Sequence, residues 1–260
     1  MPAKIAKTVQ PANPTIEQVF QEFLAEQQKR LKLKTFANYD DVIDLLQHHL
    51  NGYGHEGLSK AESALFEKHY NAEGDAHRTF CQLFGPEKIP ENLGSFLGYF
   101  MIRKVMAGAD FKRAAGTVTK RLSKWLMTKG YISAEAGQEG KERAADATKD
   151  LPNAERAAQF LRDAARRLVF GPGGILNPAI EPDDFEDEDY MEFDHYPIAK
   201  VEAGKLWLEI PESDEDSTLG PIPVPRQATA LLRQGWEISC ALGRIKGKWR
   251  IVEMANVYPS

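Results

Sequence analysis

Cysteine is scarce in this chain of 260 residues: only Cys81 and Cys240 are present. A disulfide framework is therefore excluded, and a reducing compartment is the simpler setting. Long apolar runs are missing as well. The most apolar stretch, residues 95–102, falls far short of the ~20 residues that a spanning helix needs. Lys4 and Lys7 near the start are not followed by the apolar segment of a secretory signal. The expectation is a cytoplasmic protein with no membrane partner. Collagen-like, coiled-coil and disulfide-rich compositions are excluded too.

What is present is ample core material, 42% hydrophobic and 10% aromatic residues. It is enough for one large domain or two modest ones, and it argues against wholesale disorder. The net charge of −5 hides a segregation. Residues 1–180 carry 25 basic and 21 acidic side chains, residues 181–216 carry 2 and 15, and residues 217–260 carry 6 and 2. The acidic stretch opens EPDDFEDEDYMEFD. A like-charge block repels itself and buries little, so it reads as a mobile linker or solvated loop. The sharper alternative is an autoinhibitory or DNA-mimicking segment that folds back on a basic face.

The expected fold class is α+β, an N-terminal helical bundle followed by a small C-terminal β-rich, barrel-like domain. After a disordered N-terminus, residues 1–13, Thr15 and Gln18 form a capping box ahead of the helical stripe Ile16, Val19, Phe20, Phe23, Leu24. A basic turn, Lys29 to Lys34, leads to a second helix from Thr35 that buries Phe36, Tyr39, Val42, Ile43, Leu46 and Leu50 and stops at Asn51-Gly52. Ser59 with Glu62 caps a third. A fourth is expected over about Glu91 to Met106, and a fifth over Lys112 to Lys129, ended by Gly130. The Ala-, Gly-, Glu- and Lys-rich residues 134–150 read as a hinge or weakly held helix, with helical spacing resuming over 152–169 and broken by the glycines of 171–174. Residues 134–180 are thus a helical connector and 181–192 an acidic linker. Alternation at Leu206, Leu208, Ile210 and at Trp236, Ile238, Cys240, Leu242 places strands in residues 193–260. Gly243 and Gly247 bracket a hairpin, and PRQATALLRQG allows a short helix.

The fifth helix is the most informative element. Residues 103–129 hold eight basic side chains and one acid, Asp110. Val118, Leu122, Trp125 and Leu126 share an apolar arc, with Lys120, Arg121 and Lys124 largely opposite. Such a helix can lie along a phosphate backbone, where each neutralised phosphate releases counterions. Thr117 and Thr119 are candidate donors to phosphate oxygens. The plain reading is that every helix needs a polar face.

The segment PTIEQVFQEFLAEQQKRLKLKTFANYDDVIDLL resembles the opening helical hairpin of the core-binding, SAM-like domain of tyrosine recombinases and phage integrases. It shares the apolar helix, the basic turn and the Lys34, Thr35, Phe36, Tyr39 start of the next helix. Residues 89–132, with Trp125-Leu126 and Gly130-Tyr131-Ile132, resemble the closing half of that domain. The resemblance covers residues 14–133. It implies a clamp on double-stranded DNA, with Lys32, Lys34, Lys120, Arg121 and Lys124 as contacts and Lys112 and Arg113 in support.

The catalytic half of that family has no counterpart. None of the six histidines is followed by Arg at the third position, and Tyr258 has no constellation before it. The expectation is a non-catalytic DNA-binding protein rather than an enzyme. The alternative is a protein-interaction or scaffold module that offers segment 181–216 to a basic protein. His48, His49, His55, His69, His77 and Cys81 lack zinc spacing. The acidic run 183–189 lacks the glycine of a calcium loop, and neither Gly-rich stretch has phosphate-loop spacing. No metal or cofactor is expected. Arg244, Lys246, Lys248 and Arg250 beside Trp249 read as charges protecting a hairpin edge, or less favourably as a nucleic-acid contact.

Overall fold

A computed structural model describes residues 10–170, 189–210 and 218–259. The chain divides into two compact units, Met1–Phe100 with Ala114–Thr148, and Met101–Arg113 with Lys149–Ser260.

The first unit is helical. Helix α1, Ile16–Gln28, starts on the expected capping box: the Thr15 N–H donates to Gln18 Oε1 at 2.9 Å, and the Gln18 N–H donates to Thr15 Oγ1 at 3.3 Å. It buries Ile16, Val19, Phe20 and Phe23. Helix α2, Leu33–Tyr53, begins two residues earlier than Thr35 and runs past Gly52. Its buried stripe leaves Phe36 half-exposed and takes in His49 instead. Helix α3, Lys60–Tyr70, carries the Ser59–Glu62 capping box, and the short α4, Phe80–Leu83, packs against α1 and α2. The Ala12 N–H donates to the Leu83 carbonyl at 2.8 Å, which ties the chain ahead of α1 to the bundle; residues 1–9 of the expected disordered terminus lie outside the described residues.

The single helix expected over residues 91–106 is in fact α5, Ile89–Ser95, a π-helical turn Phe96–Phe100, and α6, Met101–Arg103. The wider π turn changes the register of the apolar stripe, so that Leu93, Phe96, Leu97, Met101 and Ile102 are all buried. Helix α7, Ala109–Lys129, ends as expected. Gly130 takes φ +75°, its N–H reaches the Met127 carbonyl at 3.1 Å, and the Tyr131 N–H reaches the Leu126 carbonyl at 2.9 Å, a Schellman closure.

Of the two readings of residues 134–150, hinge or weakly held helix, the helix is found: they form the first part of α8, Ala134–Val169. The small residues that suggested looseness instead permit close contact. A Cβ at Gly116 of α7 would stand 2.6 Å from the Thr148 backbone nitrogen, and one at Gly140 would stand 2.9 Å from Ser123 Oγ. Pro152 lies inside this helix; having no N–H, it leaves one turn without its bond.

The second unit holds a five-stranded antiparallel sheet in the order β3-β2-β1-β4-β5. The strands are β1 Tyr190–Glu202, β2 Lys205–Glu209, β3 Thr218–Pro223, β4 Glu237–Ile245 and β5 Lys248–Tyr258, with the short helix α9, Arg226–Thr229, between β3 and β4. The barrel-like expectation is corrected: the sheet is open, with β3 and β5 as its edges. Pro221 and Pro223 deprive β3 of two N–H donors that a closing partner would use. The expected β4–β5 hairpin is found, but its turn is Lys246-Gly247, at φ 51° and 72°, the left-handed pair of a tight hairpin; Gly243 lies within β4 opposite Arg250 rather than bracketing the turn. Ala154, Ala157, Ala158, Leu161 and Ala165 of α8 pack into one core with Ile198, Leu206, Leu208, Ile222, Ile238 and Leu242 of the sheet.

Strand β1 begins inside the acidic stretch, so residues 190–202 are ladder-bonded sheet. The rest of the acidic segment, 181–188 and 211–216, and the glycines of 171–174 lie outside the described residues. No helix among the described residues is long and apolar enough to cross a membrane.

Candidate nucleic-acid interface

The site grows from the exposed face of α7. Thr117, Lys120, Arg121 and Lys124 stand at i, i+3, i+4 and i+7, one face of a helix. Seven residues advance about 10 Å along the axis, so the face extends past a single phosphate. The opposite face is fixed by burial of Ala115, Val118, Leu122 and Leu126. Packing therefore aims the cations outward. The four polar residues line a groove of about 330 Å³ together with Arg30, Leu31, Tyr39 and Lys141. Five of the eight described lining residues are cationic and none is acidic. Among the described residues, Lys120, Arg121 and Lys124 have no ion-pair partner. A concentration of unpaired positive charge in a concavity draws polyanions.

The other expected contacts separate. Lys32 and Lys34 are exposed at the start of α2, immediately either side of Leu33, which is itself 85% exposed; they do not line the groove. Lys112 is corrected: it is 3% exposed, belongs to the second unit and pairs with Glu155 at 2.5 Å. Glu155 also accepts from Arg162 Nη2 at 2.9 Å, and Arg162 Nη1 donates to the Ala255 carbonyl at 2.5 Å. Burial disfavours the Glu155 carboxylate, but Lys112 and Arg162 together hold its pKa below the ordinary value. Arg113, in the same unit, pairs with Asp110 at 3.0 Å. Thr119 is corrected as well. It is fully buried and spends its hydroxyl on the Ala115 carbonyl at 2.8 Å, the bend-prone back-bonding of a helical threonine.

Lys129, another of the eight basic residues around the fifth helix, serves structure. Its ammonium reaches Glu22 at 2.9 Å and Glu26 at 2.5 Å. Trp125 Nε1 donates to Glu26 at 2.7 Å and the Tyr131 hydroxyl donates to Glu22 at 2.5 Å. The Tyr131 and Lys129 hydrogen bonds lower the Glu22 pKa, and those from Lys129 and Trp125 lower that of Glu26. This clamp joins α1 to the end of α7.

Arg30, Lys141 and Tyr39 line the groove beyond the contacts the sequence points to. Arg30 lies in the basic turn of residues 29–34, so the sequence carries a signal for it. Lys141 offered none, because it reaches the groove only through the close glycine-mediated approach of α8 to α7. The histidines and cysteines form no metal cluster: among the described residues no three or more His, Cys, Asp or Glu converge. Arg244 of the β4–β5 hairpin pairs with Asp189 at 3.4 Å, and the hairpin flanks the β5 edge.

No protein-family model matches the chain, and searches of curated proteins and of solved structures return no match.

Proposed function

We propose that this chain is a non-catalytic DNA-binding protein of the cytoplasm, which contacts the phosphate backbone of a duplex through the α7 face and the groove beside it. The observation that carries the reading is the groove itself: Arg30, Lys120, Arg121, Lys124 and Lys141 gathered with no acidic side chain among its described lining. The motif resemblance of residues 14–133 to the integrase core-binding domain supports the same reading. Contacts of this kind are sequence-tolerant and salt-dependent, because affinity comes from counterion release rather than base-edge readout.

The test is a salt titration of duplex binding by the full chain and by the variant carrying Lys120→Ala, Arg121→Ala and Lys124→Ala. Each lost phosphate contact flattens the log–log salt slope by about 0.9, so three reduce it by about 2.7. An unchanged slope and affinity in the triple variant would remove the groove from the interface. Absence of duplex binding by the unaltered chain at low salt would overturn the function.

A further inference from the structure

The buried stripe of α1 is Ile16, Val19, Phe20, Phe23 and Gln27, four apolar residues and one amide. Gln27 is 2% exposed, a polar side chain at the end of an otherwise apolar stripe. Its amide oxygen is spent on one neighbour. Gln27 Oε1 accepts from Arg30 Nε at 2.7 Å and also from Arg30 Nη2. The Gln27 carbonyl meanwhile accepts the backbone N–H groups of Arg30 and Leu31, at 3.1 and 3.0 Å. One buried residue thus fixes both the main chain and the guanidinium of a side chain that lines the groove.

A guanidinium has five N–H donors. Gln27 takes two, which leaves three for a ligand. A surface arginine is usually ordered by what it binds, at a cost to affinity; here folding supplies the order. A planar fork held in place beside Lys120, Arg121, Lys124 and Lys141 matches the geometry of phosphate oxygens better than a mobile ammonium does.

We propose that Gln27 is a positioning residue that holds Arg30 as a pre-formed clamp for one backbone phosphodiester in the groove. The inference rests on the nucleic-acid reading above and names the residue pair that makes the groove a defined seat. The first measurement uses the unaltered protein. The Arg30 Nε–H, bonded to Gln27, gives a resolved NMR resonance that shifts on titration with inorganic pyrophosphate. Absence of that resonance, or of its shift, overturns the clamp.

The second measurement is a double-mutant cycle in the full chain with Gln27→Met, Arg30→Met and both, reading duplex affinity at 0.1 M salt. Arg30→Met weakens binding about five- to tenfold, the worth of one phosphate contact at that salt. Gln27→Met weakens it about two- to fourfold, as expected for loss of an orienting hydrogen bond, and the double variant binds no worse than Arg30→Met alone. Penalties that multiply would make Gln27 a purely structural residue and overturn the proposal. Duplex binding with a multiplicative cycle removes the clamp and keeps the function; a pyrophosphate response without duplex binding keeps the clamp and removes the function.

Discussion

His49 gives the chain a built-in acid sensitivity whose size follows from its surroundings. The imidazole is 2% exposed on α2. Its ring centroid lies 5.4, 5.7 and 5.1 Å from those of Tyr53, Phe96 and Phe100. Nε2 stands 3.0 Å from Ser95 Oγ, and that hydroxyl donates to the Asn92 carbonyl at 3.1 Å. With the serine proton so committed, Nε2–H donates to Ser95 and Nδ1 is left bare; no described residue bonds to it. A second proton would place a cation among aromatic rings. Burial accordingly lowers the His49 pKa from 6.5 to about 4, against a smaller opposing effect of the Asn92 backbone. Between those values the unfolded chain binds more protons than the folded one. Stability from this residue is therefore complete above pH 6.5 and is lost as pH falls towards the folded value. Single-site linkage between the folded and unfolded states gives a loss of about 1.4 kcal/mol at pH 5.5 and about 2.6 kcal/mol at pH 4.5. The perturbation is His49→Leu, which retains an apolar filling and cannot ionise. Urea unfolding followed by helical circular dichroism at pH 7.5 and pH 5.5 isolates the effect, since pH 5.5 lies above the range where carboxylates protonate. The unaltered chain should lose about 1.4 kcal/mol more than the variant between the two values. Equal losses in both proteins would refute the argument, whatever their absolute stabilities.

Lys112→Met should destabilise the second unit by about 2 kcal/mol, somewhat below the cost of breaking a fully buried pair because Arg162 still meets Glu155. Duplex affinity should be unchanged, and a loss of affinity without loss of stability would return Lys112 to the interface. Since the Glu155 pKa is depressed in the folded state, the stability it contributes is present above its ordinary value and is lost as pH falls below about 4.5; acid unfolding of Glu155→Gln should be correspondingly shallower. Gly116→Ala gains helix propensity worth about 1 kcal/mol, yet its Cβ would meet the Thr148 backbone nitrogen at 2.6 Å. A backbone neighbour cannot rotate away, so overpacking of about 1–3 kcal/mol should win and lower the melting temperature. A raised melting temperature would show that α7 and α8 have slack there.

Local signals are legible in the sequence where they are complete in a few consecutive residues. The capping boxes at Thr15 and Ser59 and the Gly130 stop each consist of contacts within about five residues. The sequence is opaque where meaning depends on a distant partner. The Gly- and Ala-rich start of α8 looks loose in isolation and is close-packed because α7 presents Gly116 and Ser123 to it. Strand β1 lay hidden under an acidic composition, because charged residues such as Glu192 and Asp194 occupy exposed positions while Tyr196 and Ile198 are buried. Alternation announced strands but carried no information on closure, which depends on the edges. The same reasoning applies to the charges. Sequence counting treats the basic residues of 103–129 as equals, but Glu155 draws Lys112 into a buried pair, Asp110 holds Arg113, and Glu22 with Glu26 hold Lys129. On α7 itself, Ala109–Lys129, what these partners leave is Lys120, Arg121 and Lys124 on one face, joined by Arg30 and Lys141 from elsewhere in the unit. Because Lys112, Arg113 and Lys129 are already paired with carboxylates, the groove is where positive charge is left for a ligand on this helix, and its salt slope should report those groove contacts rather than the full count of basic residues.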